Sequence, residues 1–310
     1  MDGKSLLYGL ADLLNECITT STFLESKASY DYLYEAAVEF ARRTRTITYS
    51  QTITTVADQT NYDLNPDFLS LYLRDGSNRY VVKYNDGTND YFLPFRDYEA
   101  VSYNNDDTSV TIPNNFSIID KQSLTTRITG TATSAGANSG GECTLTDSTA
   151  PFTNVKVGDD VHNTTDGSDG VVISVTSTSA LVTALFGGTE NDWDSSDAYI
   201  IVPQAKKQLV LDPPPSTAGH TVTIKYVQKP EPVYSYYRTY RFDRQYEPAI
   251  IKYAAWLYRY KDGAPNYGDA FYKYFDMQVR QAARTEQKSL NQLRMRVNMM
   301  KRSYGDRSYS

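Results

Sequence analysis

The chain has 310 residues, enough for one large domain or two modest ones that each bury a core. Its 40% apolar and 13% aromatic content exclude a wholly disordered protein, and no stretch nears the roughly 20 unbroken apolar residues of a membrane span. Two distant cysteines, Cys17 and Cys143, and two histidines, His162 and His220, exclude a disulfide framework and zinc-ligand spacing, while the net charge of −6 is unevenly spread.

The N-terminal run MDGKSLLYGLADLLNE has Asp2 and Asp12 among its leucines and no basic-then-apolar leader, so no secretory signal is expected. Synthesis in a reducing cytoplasm follows from that and from the cysteine usage. Leu6, Leu7, Leu10, Leu13 and Leu14 mark one face of a first helix, with Cys17 on the same pattern. Tyr30, Leu33, Tyr34, Ala37, Val38 and Ala41 mark a second, with Ser29 as its expected N-cap. Extended runs follow: TRTITYSQTITTV, NYDLNPDFLSLYLRD and RYVVKYNDG.

From 123 to 205 the texture changes. This block holds ten acidic and only two basic residues, and it is rich in Thr, Ser and Gly. Short β-branched runs (TRITGTAT, NVKVGDDV, GVVISVTS, ALVTALF) alternate with turn signals such as SAGANSGG and TTDGSDG, the pattern of a small barrel or sandwich. The block reads as an inserted acidic β-domain.

Beyond it, KQLVLDPPPSTAGHTVTIKYVQKP predicts two strands joined by a Pro-rich connection. RFDRQYEPAIIKYAAWLYRY predicts a helix, Asp262-Gly263-Ala264-Pro265 breaks it, and a long helical pattern restarts from Asn266. Near the end, Leu290, Leu293, Val297 and Met300 fall on one narrow stripe. From 271 onward there are nine basic and three acidic residues, with Arg294, Arg296, Lys301 and Arg302 crowding the other faces of that stripe. Tyrosine is the compositional oddity, 27 against 11 phenylalanines, and its apolar body with a polar tip suits contacts between subunits. The expected architecture is α+β: a helical bundle with a long C-terminal helix, a sheet or hairpin region, and the inserted all-β domain. Its parts are 1–122 and 206–285 for the divided main domain, 123–205 for the insert, and 286–310 for a C-terminal extension.

Chemistry is sparse. Gly3-Lys4-Ser5 ends like a phosphate-binding loop but has no glycine or strand upstream. Asp166-Gly167-Ser168-Asp169-Gly170 resembles a calcium loop in composition, yet the twelfth position is Ser177, and a tight turn is the simpler reading. No nucleophile elbow, zincin motif or histidine-based triad is present, and pairs such as Asp106-Asp107 and Asp159-Asp160 sit at turn-like sites. No enzyme activity, cofactor or metal is expected.

The order of elements, with Tyr62-Asp63-Leu64-Asn65-Pro66-Asp67-Phe68-Leu69, Leu211-Asp212-Pro213-Pro214 and the helix opening at Pro248, Ala249, Ile250, Ile251 and Ala254, resembles the head-to-tail adaptor (connector) proteins of tailed bacteriophages. The resemblance covers about 1–122 and 206–310, and the insert looks similar to small β-modules of phage virion proteins. It implies a structural virion protein at the head–tail junction, a ring of twelve copies between the capsid portal and the tail nozzle or tube. DNA would cross its lumen as a non-specific passenger, and no membrane is involved. On this reading Leu290, Leu293, Arg294, Arg296, Val297, Met300, Lys301 and Arg302 dock on the portal. Tyr253, Trp256, Tyr260, Tyr272 and Tyr274 pack between subunits, and the insert projects outward, where fibres would attach. Two other readings stand beside it: nucleic-acid binding through the basic C-terminal helix, and fibre or receptor binding through the insert, with Trp193 and the acidic turn as the candidate residues.

Overall fold

The computed structural model describes residues 2–17, 26–72, 82–98, 112–121, 126–204, 206–261, 263 and 268–284. Two helices open the chain. Helix α1 (Gly3–Leu14) is capped by Asp2, whose carboxylate accepts the Ser5 N–H at 2.8 Å, and it ends at Asn15 in the left-handed conformation. It buries Leu6, Leu7, Leu10, Ala11 and Leu14, so Cys17 falls beyond its end and is exposed. Helix α2 (Ser26–Thr44) starts three residues before the expected cap. Ser29 lies inside it, fully buried with Tyr30, Leu33, Ala37 and Phe40, and the Lys27–Asp31 pair belongs to its first turns.

Among the described residues fourteen strands follow, in three sheets. In chain order they are β1 (Thr48–Thr54), β2 (Asn61–Asp63), β3 (Phe68–Leu71), β4 (Val82–Asn85), β5 (Asp90–Leu93), β6 (Asn115–Asp120), β7 (Ile128–Thr131), β8 (Cys143–Thr146), β9 (Asp160–Asn163), β10 (Ser168–Ser177), β11 (Ala180–Phe186), β12 (Ala198–Val202), β13 (Lys207–Asp212) and β14 (Thr221–Gln228). The first sheet runs β1-β14-β4-β5 with β3 also on β14, and the second runs β2-β13-β6. They share one core of Tyr62, Phe116, Leu209 and Leu211 against Phe68, Val82, Tyr84, Val222, Ile224 and Tyr226, so they form a sandwich. Both central strands, β13 and β14, come from after the insert. The expected two-strand run LVLDPPPSTAGHTVTIKYV is thus a crossing from one sheet to the other.

The remaining six strands, β7-β12-β9-β10-β11-β8, pair only among themselves. The Thr133 N–H donates to the Thr146 carbonyl at 2.7 Å and closes the sheet into a barrel. Trp193, Tyr199, Phe152, Leu145, Val172 and Leu181 fill it. The chain leaves the sandwich at Asp120 and re-enters at Lys207, which are register partners, and the Lys121 N–H bonds the Lys206 carbonyl at 2.9 Å.

Helix α3 (Glu247–Lys261) packs across α1 and α2, stops at Gly263 (φ +73°), and is followed by α4 over 268–284. Phe40 is their hub, with Phe242, Tyr246 and Phe275 at 5.3, 5.1 and 6.2 Å.

The expected helical bundle with one inserted β-domain is therefore corrected: the described protein is mostly β, and its four helices form one layer beside two β units. The reason is physical. Long helices write a visible stripe, whereas β2, β5 and β8 span only three or four residues each and contribute one or two core side chains. The middle of strand β10, from Gly170 to Ile173, is buried on both faces, Val172 inside the barrel and Val171 and Ile173 against the core of α1, α2 and α3.

Candidate functional site

Among the described residues no cluster of three or more His, Cys, Asp or Glu is arranged to hold a metal ion. The phosphate-loop-like Gly3 starts α1, where the Gly3 and Lys4 N–H groups donate to the carbonyls of Arg238 and Tyr236. A Cβ at Gly3 would lie 2.0 Å from the Ser235 carbonyl oxygen, so glycine is required by close packing of α1 on the 233–240 segment. The calcium-like run spans the end of the turn between β9 and β10, with Gly167 at φ +72°, and the first three residues of β10. Its Asp169 accepts from His162 Nδ1 at 2.5 Å, and Asp159 is buried, holding the Lys156 and Gln204 N–H groups. Cys143 is buried beside Thr183, and burial pushes its thiol up to about 11, far from a nucleophile's range. Among the described residues no helix is long and apolar enough to cross a membrane.

The residues expected between subunits form an aromatic ladder between α3 and α4. The Tyr253 ring is 4.4 Å from Phe275, and Trp256 is 5.0 Å from Tyr272 and 6.0 Å from Tyr260. Lys252 Nζ lies 3.4 Å above the Tyr274 ring. Burial pushes the Tyr253 hydroxyl up to about 12. The ladder grades from a packed end to an open one: Tyr253 is buried, whereas Tyr272, Met277 and Tyr260 are 38%, 53% and 66% exposed. Arg43 ion-pairs with Asp276 and fastens α4 to α2, and Asp276 also takes Arg280 at 2.7 Å. The Arg43 hydrogen bond, with both arginine charges, holds the Asp276 carboxyl below the usual carboxylate range. Leu290, Leu293, Arg294, Arg296, Val297, Met300, Lys301 and Arg302 lie outside the described residues.

Two features escaped the sequence reading. One is a clasp between barrel and helices. Glu142, just before β8, accepts from Arg238 Nε at 2.9 Å and from Ser235 Oγ at 2.6 Å, while the Tyr236 N–H bonds the Gly140 carbonyl. Partial burial raises the Glu142 pKa, but these charge-assisted bonds outweigh it and leave the carboxyl below its ordinary value. The other is a cavity of about 330 Å³ where all three units meet, lined by Tyr34, Asp67, Ile173, Ser174, Gln228 and Lys229 among others. Burial pulls the Lys229 amine below its ordinary value and pushes Tyr34 up to about 12, while Asp67 is occupied by the Tyr226 hydroxyl (2.6 Å) and the Gln228 amide (2.7 Å). Neither feature has a local signature, since Glu142 and Arg238 are 96 residues apart.

No known family model matches the chain, and no match is found among curated proteins.

Proposed function

We propose that this chain is a structural virion protein whose copies assemble into a ring joining the capsid portal to the tail, with DNA passing through the lumen. The observation that carries the reading is the open end of the α3–α4 ladder. Tyr260, Tyr272 and Met277 present exposed apolar and aromatic surface on two helices already tied to the core by Tyr253, Phe275 and the Arg43–Asp276 pair. Rigidly mounted tyrosines with one wet edge are what a subunit interface uses. The helices also lead directly into the basic segment beyond 285, with its apolar stripe at Leu290, Leu293, Val297 and Met300, which suits a protein groove better than a phosphate backbone. The resemblance to head-to-tail adaptors supplies the copy number of twelve and the portal as the partner for that segment.

Electron microscopy of the purified chain, alone and mixed with a portal protein, tests this. Rings are the expected result, and monomers under both conditions would overturn it. Truncation after Thr285 is expected to leave a folded product that no longer docks on the portal. Salt-sensitive binding to arbitrary duplex DNA that requires Arg294 and Arg296 would instead favour the nucleic-acid reading.

A further inference from the structure

In the five-stranded sheet of the sandwich, the two end strands of the path β1-β14-β4-β5 are built differently. At β5, the Asp86 N–H bonds the Asn89 carbonyl in line with the β4 ladder, so Tyr91 and Leu93 face β4 and only Asp90 and Phe92 turn their backbone groups outward. That edge is short, carries the Lys83–Asp90 ion pair at 3.1 Å, and ends at Pro94, whose carbonyl is already taken by the Phe116 N–H. Shortness, charge and proline are the devices that keep an edge from pairing.

Strand β1 has none of them. The Gln228 N–H donates to the Ile47 carbonyl and the Thr55 N–H to the His220 carbonyl, which fixes the alternation. Tyr49, Gln51 and Ile53 bond β14, while Thr48, Ser50, Thr52 and Thr54 turn their N–H and C=O groups away. All four are exposed, and among the described residues no strand pairs with that side. The surrounding run TITYSQTITTV contains no charge, proline or glycine and is dominated by β-branched residues. An uncharged seven-residue edge of this kind is a template for another strand.

We propose that β1 pairs antiparallel with β1 of a second copy, about a two-fold axis at Gln51. The strand's own pattern selects this occupant. Centred on Gln51, TYSQTIT is near-symmetric in chemical type, so Thr48 meets the partner's Thr54 and Ser50 meets the partner's Thr52 as hydrogen-bonded pairs. On the other face Tyr49 meets the partner's Ile53. Threonine–threonine and aromatic–β-branched pairs are favourable cross-strand combinations, and no like charges oppose one another. A slip of one residue would set outward groups against inward ones, and a slip of two would shorten the ladder. The pairing also covers Tyr49, which is 49% exposed beside Tyr226. A self-complementary two-fold contact cannot by itself close a cyclic ring, so it is separate from the ring interface and stands without it.

Cysteine cross-linking of the full chain, in a Cys17→Ser background, tests the register. Under mild oxidation Gln51→Cys is expected to give a disulfide-linked dimer on a denaturing gel. Tyr49→Cys alone gives none, but gives one when mixed with Ile53→Cys copies. That mixture also covers the case in which Gln51→Cys disturbs its hydrogen bonds to Asp63 and Asn65. Thr52→Lys, and separately Thr52→Pro at an outward-facing N–H, keep the native ladder to β14 and are expected to weaken dimerisation at least about tenfold by light scattering, with unchanged circular dichroism. No cross-link from either Gln51→Cys or the mixture, equal cross-linking by Tyr49→Cys alone, or undiminished dimers in both Thr52 variants would overturn the proposal. Ring formation is read separately by electron microscopy, and its failure would leave the cross-link standing.

Discussion

The barrel and the sandwich are both antiparallel, yet they treat their sheet edges in opposite ways. The barrel brings its two end strands, β7 and β8, together through Thr133 and Thr146, so its edges meet within the chain. The sandwich guards β5, whereas among the described residues no strand pairs with the outer side of β1. The difference also shows in acidity: the barrel carries the ten acidic residues of 123–205, whereas 46–56 carries no charge at all. One unit closes its sheet within the chain, and in the proposal above a second copy completes the other.

The comparison breaks first if the two units do not have separate cores. Trp193→Ala removes the largest buried barrel side chain and its indole bond to Thr183 Oγ1 (2.9 Å), for an expected loss of about 3–5 kcal/mol. Hydrogen exchange should rise across β7–β12 while β13 and β14 stay protected; equal loss in both would merge them into one cooperative unit. Ile224→Ala in β14 is the converse, an expected loss of about 2–5 kcal/mol with exchange rising in the sandwich strands.

Glu142→Gln sharpens the boundary between barrel and helices. The clasp is partly exposed, so a loss of about 1–2 kcal/mol is expected in chemical denaturation. Because the folded Glu142 pKa lies below its ordinary 4.5, its contribution is fully present above that value. It disappears as pH falls through the lower folded value. Wild type should therefore converge on the Gln variant in acid and diverge from it near neutrality. The smallest expected effect is Tyr260→Ala, within about 0.5 kcal/mol for folding because the ring is mostly exposed. The same change should weaken ring assembly, and a ring population equal to wild type by electron microscopy would remove the ladder from the interface.

Local signals were legible where a residue's role depends on its near neighbours. The leucine stripe of α1, the break at Gly263, the turn at Gly167 and the β texture of 128–202 follow from periodicity and turn chemistry. The N-cap at Ser29 was misread because residues that cap also occur in helix interiors, where burial decides. β5, β6, β8 and β12 were not singled out, since strands of four to six residues are too short to separate from loops by pattern. The weight of β over helix followed from that. Of the candidate sites, the tyrosine ladder was visible as composition, but which rings were buried was not.

By itself the sequence determined the apolar stripe of α1 and the helical pattern that opens at Pro248, where charge is concentrated, and that 46–56 is an uncharged β-branched run. Only the tertiary structure decided that β13 and β14 are the central strands of the sandwich, that the middle of β10 is buried on both faces, and that Glu142 meets Arg238. It also decided that β1 lies at an edge. The physical reason is common to all four: each depends on pairings between residues distant in the chain, and the free energy of those pairings comes from burial and backbone ladders that no local window contains.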